Sequence, residues 1–327
     1  MPFGQIVIGP AGAGKSTFCT GMQQLLQSLG RKCHVINLDP GSMMFPPVED
    51  APARYTPAVD VTEICSQWDL MGRLSIGPNA ALVEAMRMLV APPNCTWFLS
   101  RLKSIITQNE KDVEEDGEVP YFIFDFPGQA ELITNEPYLF QLILLLEKSL
   151  QFRLVAICLV DATTAIFTKE RLVSSKLLCL TAMASIELPF INAFSKTDLL
   201  TPSEKENLAL EREDPGLDKI CNDFDPDFGP DSGTSTEINA ADSKAPDCFI
   251  ESNVMRKTTT RKSQHRLWYL LEELVEDMPY LHHMLVAVED KDSMLRILRA
   301  ADRANGYVFG GLTQGNDCIM GISAQAL

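Results

Sequence analysis

Between the apolar run Gln5–Ile8 and an amphipathic segment stands Gly9-Pro-Ala-Gly-Ala-Gly14-Lys15-Ser16, and no other stretch of the chain restricts its folding as much. The spacing is G-x-x-x-x-G-K-[ST], here set between a strand pattern and a helix pattern. Phe18, Met22, Leu25, Leu26 and Leu29 fall on one helical face, and Gly30 supplies a C-terminal stop. Glycines let the backbone curl until successive N–H groups point inward, and the helix that follows adds its positive end, so the unit reads as an anion cradle. Backbone groups of Gly12, Ala13 and Gly14 would wrap a polyphosphate. Lys15 would reach its β- and γ-phosphates, the Ser16 hydroxyl would bind Mg²⁺, and Thr17 would meet the α-phosphate. The chemistry implied is a nucleoside triphosphate with Mg²⁺.

The remaining apolar runs say what surrounds that cradle. Cys33–Leu38 ends at Asp39-Pro40, Tyr121–Phe124 at Asp125, Leu154–Val160 at Asp161, and Phe190–Phe194 near Ser195; Met284–Val288 comes last. Each run is continuous rather than alternating, as strands buried on both faces are, and helical segments lie between them. The expectation is an α/β, doubly wound, mainly parallel sheet with helical insertions, its ligands bound at the carboxyl ends of the strands. The site should gather Gly9–Thr17, Asp39, Asp125 and Ser195–Asp198.

Asp125-Phe-Pro-Gly128-Gln129 is by itself a common turn, but after a buried strand it puts a carboxylate where Mg²⁺ or its water shell would lie. Gly128 can offer its N–H to a γ-phosphate and Gln129 can orient an attacking water. Asp39 adds a second carboxylate near the metal, although Asp-Pro at a strand end also serves as a plain turn. Such a site needs no covalent chemistry, because phosphoryl transfer depends mostly on position and charge. Ser195-Lys196-Thr197-Asp198 follows another buried strand. An ionised Asp198 accepts bonds from guanine N1–H and the exocyclic amine, for which adenine has no counterpart, while Lys196 lays its methylene stem over the base. Bonds to a charged group contribute roughly 1.5–3 kcal/mol each, so guanine should win clearly. GTPases usually have Asn where Ser195 stands, which leaves that contact open.

The 327 residues carry 28 Lys+Arg against 44 Asp+Glu, a net charge of −16, which argues against a surface that coats nucleic acid. Nine cysteines without a C-x-x-C pair fit reduced thiols in a cytoplasmic protein, and Cys19, Cys33, Cys158 and Cys179 read as small core residues. Leu139–Leu146 and Leu154–Val160 are too short and too interrupted by charge to span a membrane. The first residues lack the basic start of a signal peptide. The expected organisation is one domain over 1–327, with an acidic, solvated insertion at about 202–262 that turns basic from Arg256 to Arg266. Gly310–Leu327 carries no chemical signal.

Gly77-Pro78-Asn79 stands before the apolar-rich helix Ala80–Val90, in a region at about 60–110. Together with Phe3–Thr17, Val35–Pro40, Asp125–Gln129 followed by Glu131-Leu132, and Ser195–Leu200, it makes the sequence resemble the GPN-loop GTPases. These are a dimeric branch of the P-loop NTPase fold, akin to the signal-recognition and chromosome-partitioning enzymes. Ala300–Tyr307 looks most like the second eukaryotic paralogue. The resemblance implies that Asn79 reaches the γ-phosphate or the departing phosphate in the site of a partner subunit, and that Asp39, Asp125, Gln129 and Glu131 hold the metal shell and the nucleophilic water. It implies a homodimer or a heterodimer with a sister GTPase. It also implies RNA polymerase II subunits or assembly factors as partners, and shuttling between cytoplasm and nucleus, with no direct contact to nucleic acid or membrane. Family loops continue Gly-Pro-Asn-Gly-Gly; here Ala80 and Ala81 follow, and each added methyl stiffens the loop. The expectation is a slow, Mg²⁺-dependent GTPase switch binding GTP and GDP. Against it stand an ATPase of the partitioning or metal-insertion branch, and an assembly adaptor that binds nucleotide only for structure.

Overall fold

The computed structural model describes residues 1–42, 55–116, 120–213, 270–271 and 281–307. Contacts divide the chain into two units, Met1–Thr201 with Leu281–Leu327, and Pro202–Tyr280. In the first unit the order is β1 (Phe3–Ile8), α1 (Lys15–Ser28), β2 (Cys33–Asn37), β3 (Val59–Asp60), α2 (Gln67–Leu74), α3 (Pro78–Val90), α4 (Asn94–Asp116) and β4 (Tyr121–Asp125). It continues with α5 (Ala130–Thr134), α6 (Tyr138–Leu150), β5 (Arg153–Asp161), α7 (Ala162–Ala165), α8 (Lys169–Ile186) and β6 (Phe190–Ser195). The second unit intervenes with helix α9 (Pro202–Glu213); β7 (His283–Leu285) and α10 (Lys291–Asn305) then complete the first.

The seven strands form one sheet in the order β3-β2-β4-β1-β5-β6-β7. Every pairing among the described residues is parallel, as strands apolar on both faces require. β1 lies at the centre with all six residues buried, and Val7 faces Asp125 in register. β3 has two residues, too short to leave an apolar run, and the sequence pattern misses it. The final run ends as a strand at Leu285 rather than Val288.

Phe18, Met22, Leu25 and Leu26 of α1 pack with Val7, Ile123 and Val155, and α10 adds Met294, Ile297 and Leu298 to the same core. Burial of side chains this size contributes about 1.5–3 kcal/mol each. Leu29 leaves the expected apolar face. The chain reverses at Gly30 (φ 77°), where Gly30 N–H donates to Gln27 O and Arg31 N–H to Leu26 O, so Leu29 turns outward. Cys19, Cys158 and Cys179 are core residues as expected, whereas Cys33 is only half-buried.

The run Ala300–Tyr307 closes the core. Arg31 Nη1 lies 2.8 Å from Asp302 Oδ2, its guanidinium sits over the Tyr307 ring at 4.3 Å, and Asn305 donates to Tyr121 Oη at 3.2 Å. The acidic insertion expected from about 202 opens with α9, with Pro202 at its first position and Glu204 in its first turn. The remainder of that stretch, Arg256–Arg266, and Gly310–Leu327 lie outside the described residues.

Candidate active site

At Ile8 the strand is in register with Cys158 of β5, and the chain must turn immediately against its neighbour. A β-carbon on Gly9 (φ 144°) would stand 2.1 Å from the Leu159 carbonyl oxygen, so only glycine fits. Gly14 (φ 81°) then caps α1 without a side chain, leaving the first amides of the helix aimed outward. Above this loop opens a cleft of about 890 Å³, with Gly12, Gly14, Lys15, Ser16 and Thr17 on its floor. Ala13 is buried beneath it.

Lys15 is 8% exposed and its Nζ donates to Pro10 O at 3.1 Å. Burial lowers the ammonium's pKa, while Asp125 and Asp39 oppose that shift. Asp125 ends β4 between Val7 and Asn37 in register and is 1% exposed. Burial raises its carboxyl above the usual range; hydrogen bonding from Tyr55 and the nearby Ser16 hydroxyl pulls the other way, Asp39 repels and Lys15 attracts. Tyr55 Oη donates to Oδ2 at 2.6 Å, whereas Oδ1 is buried and makes no well-aligned hydrogen bond, the Ser16 hydroxyl and the Cys19 thiol being the other donors near the carboxylate.

A buried carboxylate oxygen left unmatched beside a Ser hydroxyl suits a divalent cation. The residues therefore fit Mg²⁺: Ser16 and Asp125 would hold it or its waters, and Asp39, whose Oδ1 accepts from Gly41 N–H at 2.9 Å, stands at the cleft wall. Among the described residues no three His, Cys, Asp or Glu form a metal cluster. Mg²⁺ needs none in such a cradle, because phosphate oxygens and waters fill most of its positions.

Gly128 backs directly on the phosphate loop, and Gln129 lines the cleft with its Oε1 buried and unpartnered. Glu131 is brought elsewhere: it is exposed in the first turn of α5 and outside the cleft lining. The helix expected from Ala80 starts at Pro78, so Asn79 is part of its first turn. Asn79 is exposed and lines the cleft of its own chain, beside Gln67, whose Nε2 donates to Pro78 O at 3.1 Å. Ala80 and Ala81 extend the helix, and the Ala81 methyl is buried against Cys65, Leu70 and Ala85.

At the other end, Ser195 Oγ donates to Ala13 O at 2.7 Å and ties β6 to the phosphate loop. Lys196 (φ 57°) lines the cleft with its stem near Gly14, and its Nζ donates to Asp161 Oδ2 at 2.7 Å. Asp198 is exposed on the short turn Thr197–Leu199 and outside the cleft lining.

A family model described as a conserved hypothetical ATP-binding protein matches residues 7–307. GPN-loop GTPase 2 of Schizosaccharomyces pombe is 34% identical over 319 residues, 98% of this chain and 85% of that protein. GPN-loop GTPase 2 of Danio rerio is 33% identical, covering 97% and 85%. The chain belongs to the GPN-loop GTPase family. GPN-loop GTPase QQT1 of Arabidopsis thaliana is 32% identical over 95% of this chain and 88% of its own. The solved apo form of a GTPase from Pyrococcus abyssi matches at a TM-score of 0.60 over 92% of this chain and 97% of its own; at 18% identity it speaks for the fold alone.

Three features around the site of this GPN-loop chain are not assigned to it by the sequence: Asp161 and Tyr55, which hold Lys196 and Asp125, and the cleft-lining pair Val288 and Glu289. Asp161 ends an apolar run at the same sheet edge, and the rule that found Asp39 and Asp125 would have found it. Val288 and Glu289 line the cleft where the last run turns away from the sheet, and Tyr55 reaches Asp125 from a Pro- and Ala-rich stretch; neither leaves a sequence signal.

Proposed function

We propose that this chain hydrolyses GTP slowly, in a Mg²⁺-dependent way, as a two-state switch within a dimer. One observation carries the reading: the phosphate loop, Asp39, Gln129 and Lys196 converge on a single cleft, with a buried, unmatched oxygen of Asp125 beside Ser16. Bound Mg²⁺ would neutralise charge on the β- and γ-phosphates. Lys15 and the amides of Gly12–Thr17 grip the polyphosphate, and Gln129 orients the attacking water. Ser195 and Lys196 hold the base end for Asp198 to read the purine. Asn79 would complete the site of a partner subunit. By family membership, the dimer would act in assembly or nuclear import of RNA polymerase II.

The exposed position of Asp198 outside the cleft lining, together with a family description that names ATP, keeps an ATPase as the second reading. Competition binding with GTP and ATP separates the two, since equal displacement would remove the guanine assignment. Lys15→Ala should abolish nucleotide binding, whereas Gln129→Leu should spare binding and slow single-turnover phosphate release. Wild-type turnover in Gln129→Leu would refute the role given to that amide.

A further inference from the structure

We propose that Tyr55 is a positioning residue for the Mg²⁺ site, occupying one oxygen of Asp125 so that the other stays available to the cation. The inference rests on the GTP·Mg²⁺ reading above. Asp125 sits on β4 in register between Val7 and Asn37 and is almost wholly buried, so solvent cannot satisfy it. A carboxylate offers about four acceptor sites. Here the Tyr55 hydroxyl, 2.6 Å away, takes up Oδ2, and Oδ1 makes no well-aligned hydrogen bond, with the Ser16 hydroxyl and the Cys19 thiol as the remaining donors near it.

The single phenolic proton is committed to that bond, because the alternative acceptor, Asn37 Oδ1, is 3.5 Å away. Asn37 is itself fixed: its Nδ2 donates to Ser42 Oγ at 2.8 Å and to Asp60 Oδ1 at 2.9 Å, and its Oδ1 accepts from Asp39 N–H at 3.1 Å. The phenol thus rests against the same strand end that carries Asp39. Without the hydroxyl, both oxygens of Asp125 would compete for the remaining donors, and the carboxylate could rotate away from the orientation a cation needs.

The test uses the full chain loaded with a fluorescent GDP, its release followed from excess EDTA through a Mg²⁺ titration. In Tyr55→Phe the Mg²⁺ midpoint for retention should rise by about tenfold or more, as loss of an outer-shell partner does, while release in EDTA matches wild type. An unchanged midpoint overturns the proposal. So does acceleration of the same size with and without Mg²⁺, which would mean that the bond serves only the fold. Tyr55→p-aminophenylalanine keeps a donor on the same ring atom and should restore the midpoint; if Tyr55→Phe does not fold, this variant decides, and a midpoint displaced as far as loss of the bond predicts overturns the proposal. Failure of the wild-type chain to bind labelled GDP at all would instead sink the GTPase reading.

Discussion

Replacing Gly128 by Ala probes whether the Asp125–Gln129 turn and the phosphate loop work as one unit. The added β-carbon would stand 2.7 Å from Lys15 Nζ and 2.9 Å from Ala11 Cα, where ordinary contact begins near 3.4 Å. Something must therefore yield by about 0.5–0.7 Å. Neither neighbour yields easily: Lys15 is buried with its amine bonded to Pro10 O, and Ala11 belongs to the loop backbone itself. A displacement of about 1 Å at a reacting centre costs roughly 10²-fold in rate, so half to two-thirds of that corresponds to about a ten- to twentyfold loss. The ammonium stays in the cleft, so nucleotide affinity should fall much less than the rate. Gly128 does not lie in the left-handed region, so the backbone itself accepts Ala, but the overpacking against Lys15 and Ala11 outweighs the gain from a narrower unfolded ensemble and melting should fall. Single-turnover phosphate release, run beside nucleotide titration and a melting curve, reads all three quantities. Wild-type release from Gly128→Ala would refute the close approach of this turn to Lys15 as a requirement for hydrolysis.

Burial lifts the Asp302 carboxyl to about 6, with Arg31 opposing the shift, so the folded chain takes up a proton between about pH 4 and 6. The stability from this group is present below that window and is lost as pH rises through it. Arg31→Met with Asp302→Leu should therefore flatten urea-unfolding profiles in that range at little or no cost, whereas Asp302→Ala alone strands a buried guanidinium and should cost about 3–5 kcal/mol. A double variant with the wild-type pH profile would contradict this. For the proposed dimer, mixing Lys15→Ala with Asn79→Ala subunits should restore hydrolysis at up to about a quarter of wild-type sites if Asn79 acts across a two-fold interface; no recovery on mixing would return Asn79 to the cleft of its own chain.

Much of the sheet was legible because a parallel strand buried on both faces must be written as an unbroken apolar run. Tyr121–Phe124 and Leu154–Val160 had no other economical reading, and their acidic ends marked the edge where the cleft opens. β3 escaped because two residues carry no pattern; its place is fixed by pairing with Ile36 and Asn37, a contact 23 residues distant in the chain. The boundary of α3 lies two residues before the expected Ala80 for a local reason: Pro78 has the backbone angle of a first helical residue and Gly77 caps it, so the tripeptide supplies the cap and the first two helical residues.

The phosphate half of the site was legible for a different reason from the base half. Backbone amides are anonymous, so the chain must record the phosphate loop through the residues that permit its shape, and glycine and lysine at fixed spacing do so. The base end depends on side chains that meet only in three dimensions. Ser195 was read as a weakened Asn, yet its hydroxyl reaches the Ala13 carbonyl and joins β6 to the phosphate loop, a contact 182 residues apart in sequence. Lys196 was read as a stem for the base, but its left-handed backbone and its ion pair to Asp161 are what direct that stem past Gly14. A short hydroxyl side chain can thus tie a strand end to the phosphate loop when the backbone it bridges lies 2.7 Å away, and spacing along the chain does not reveal that distance.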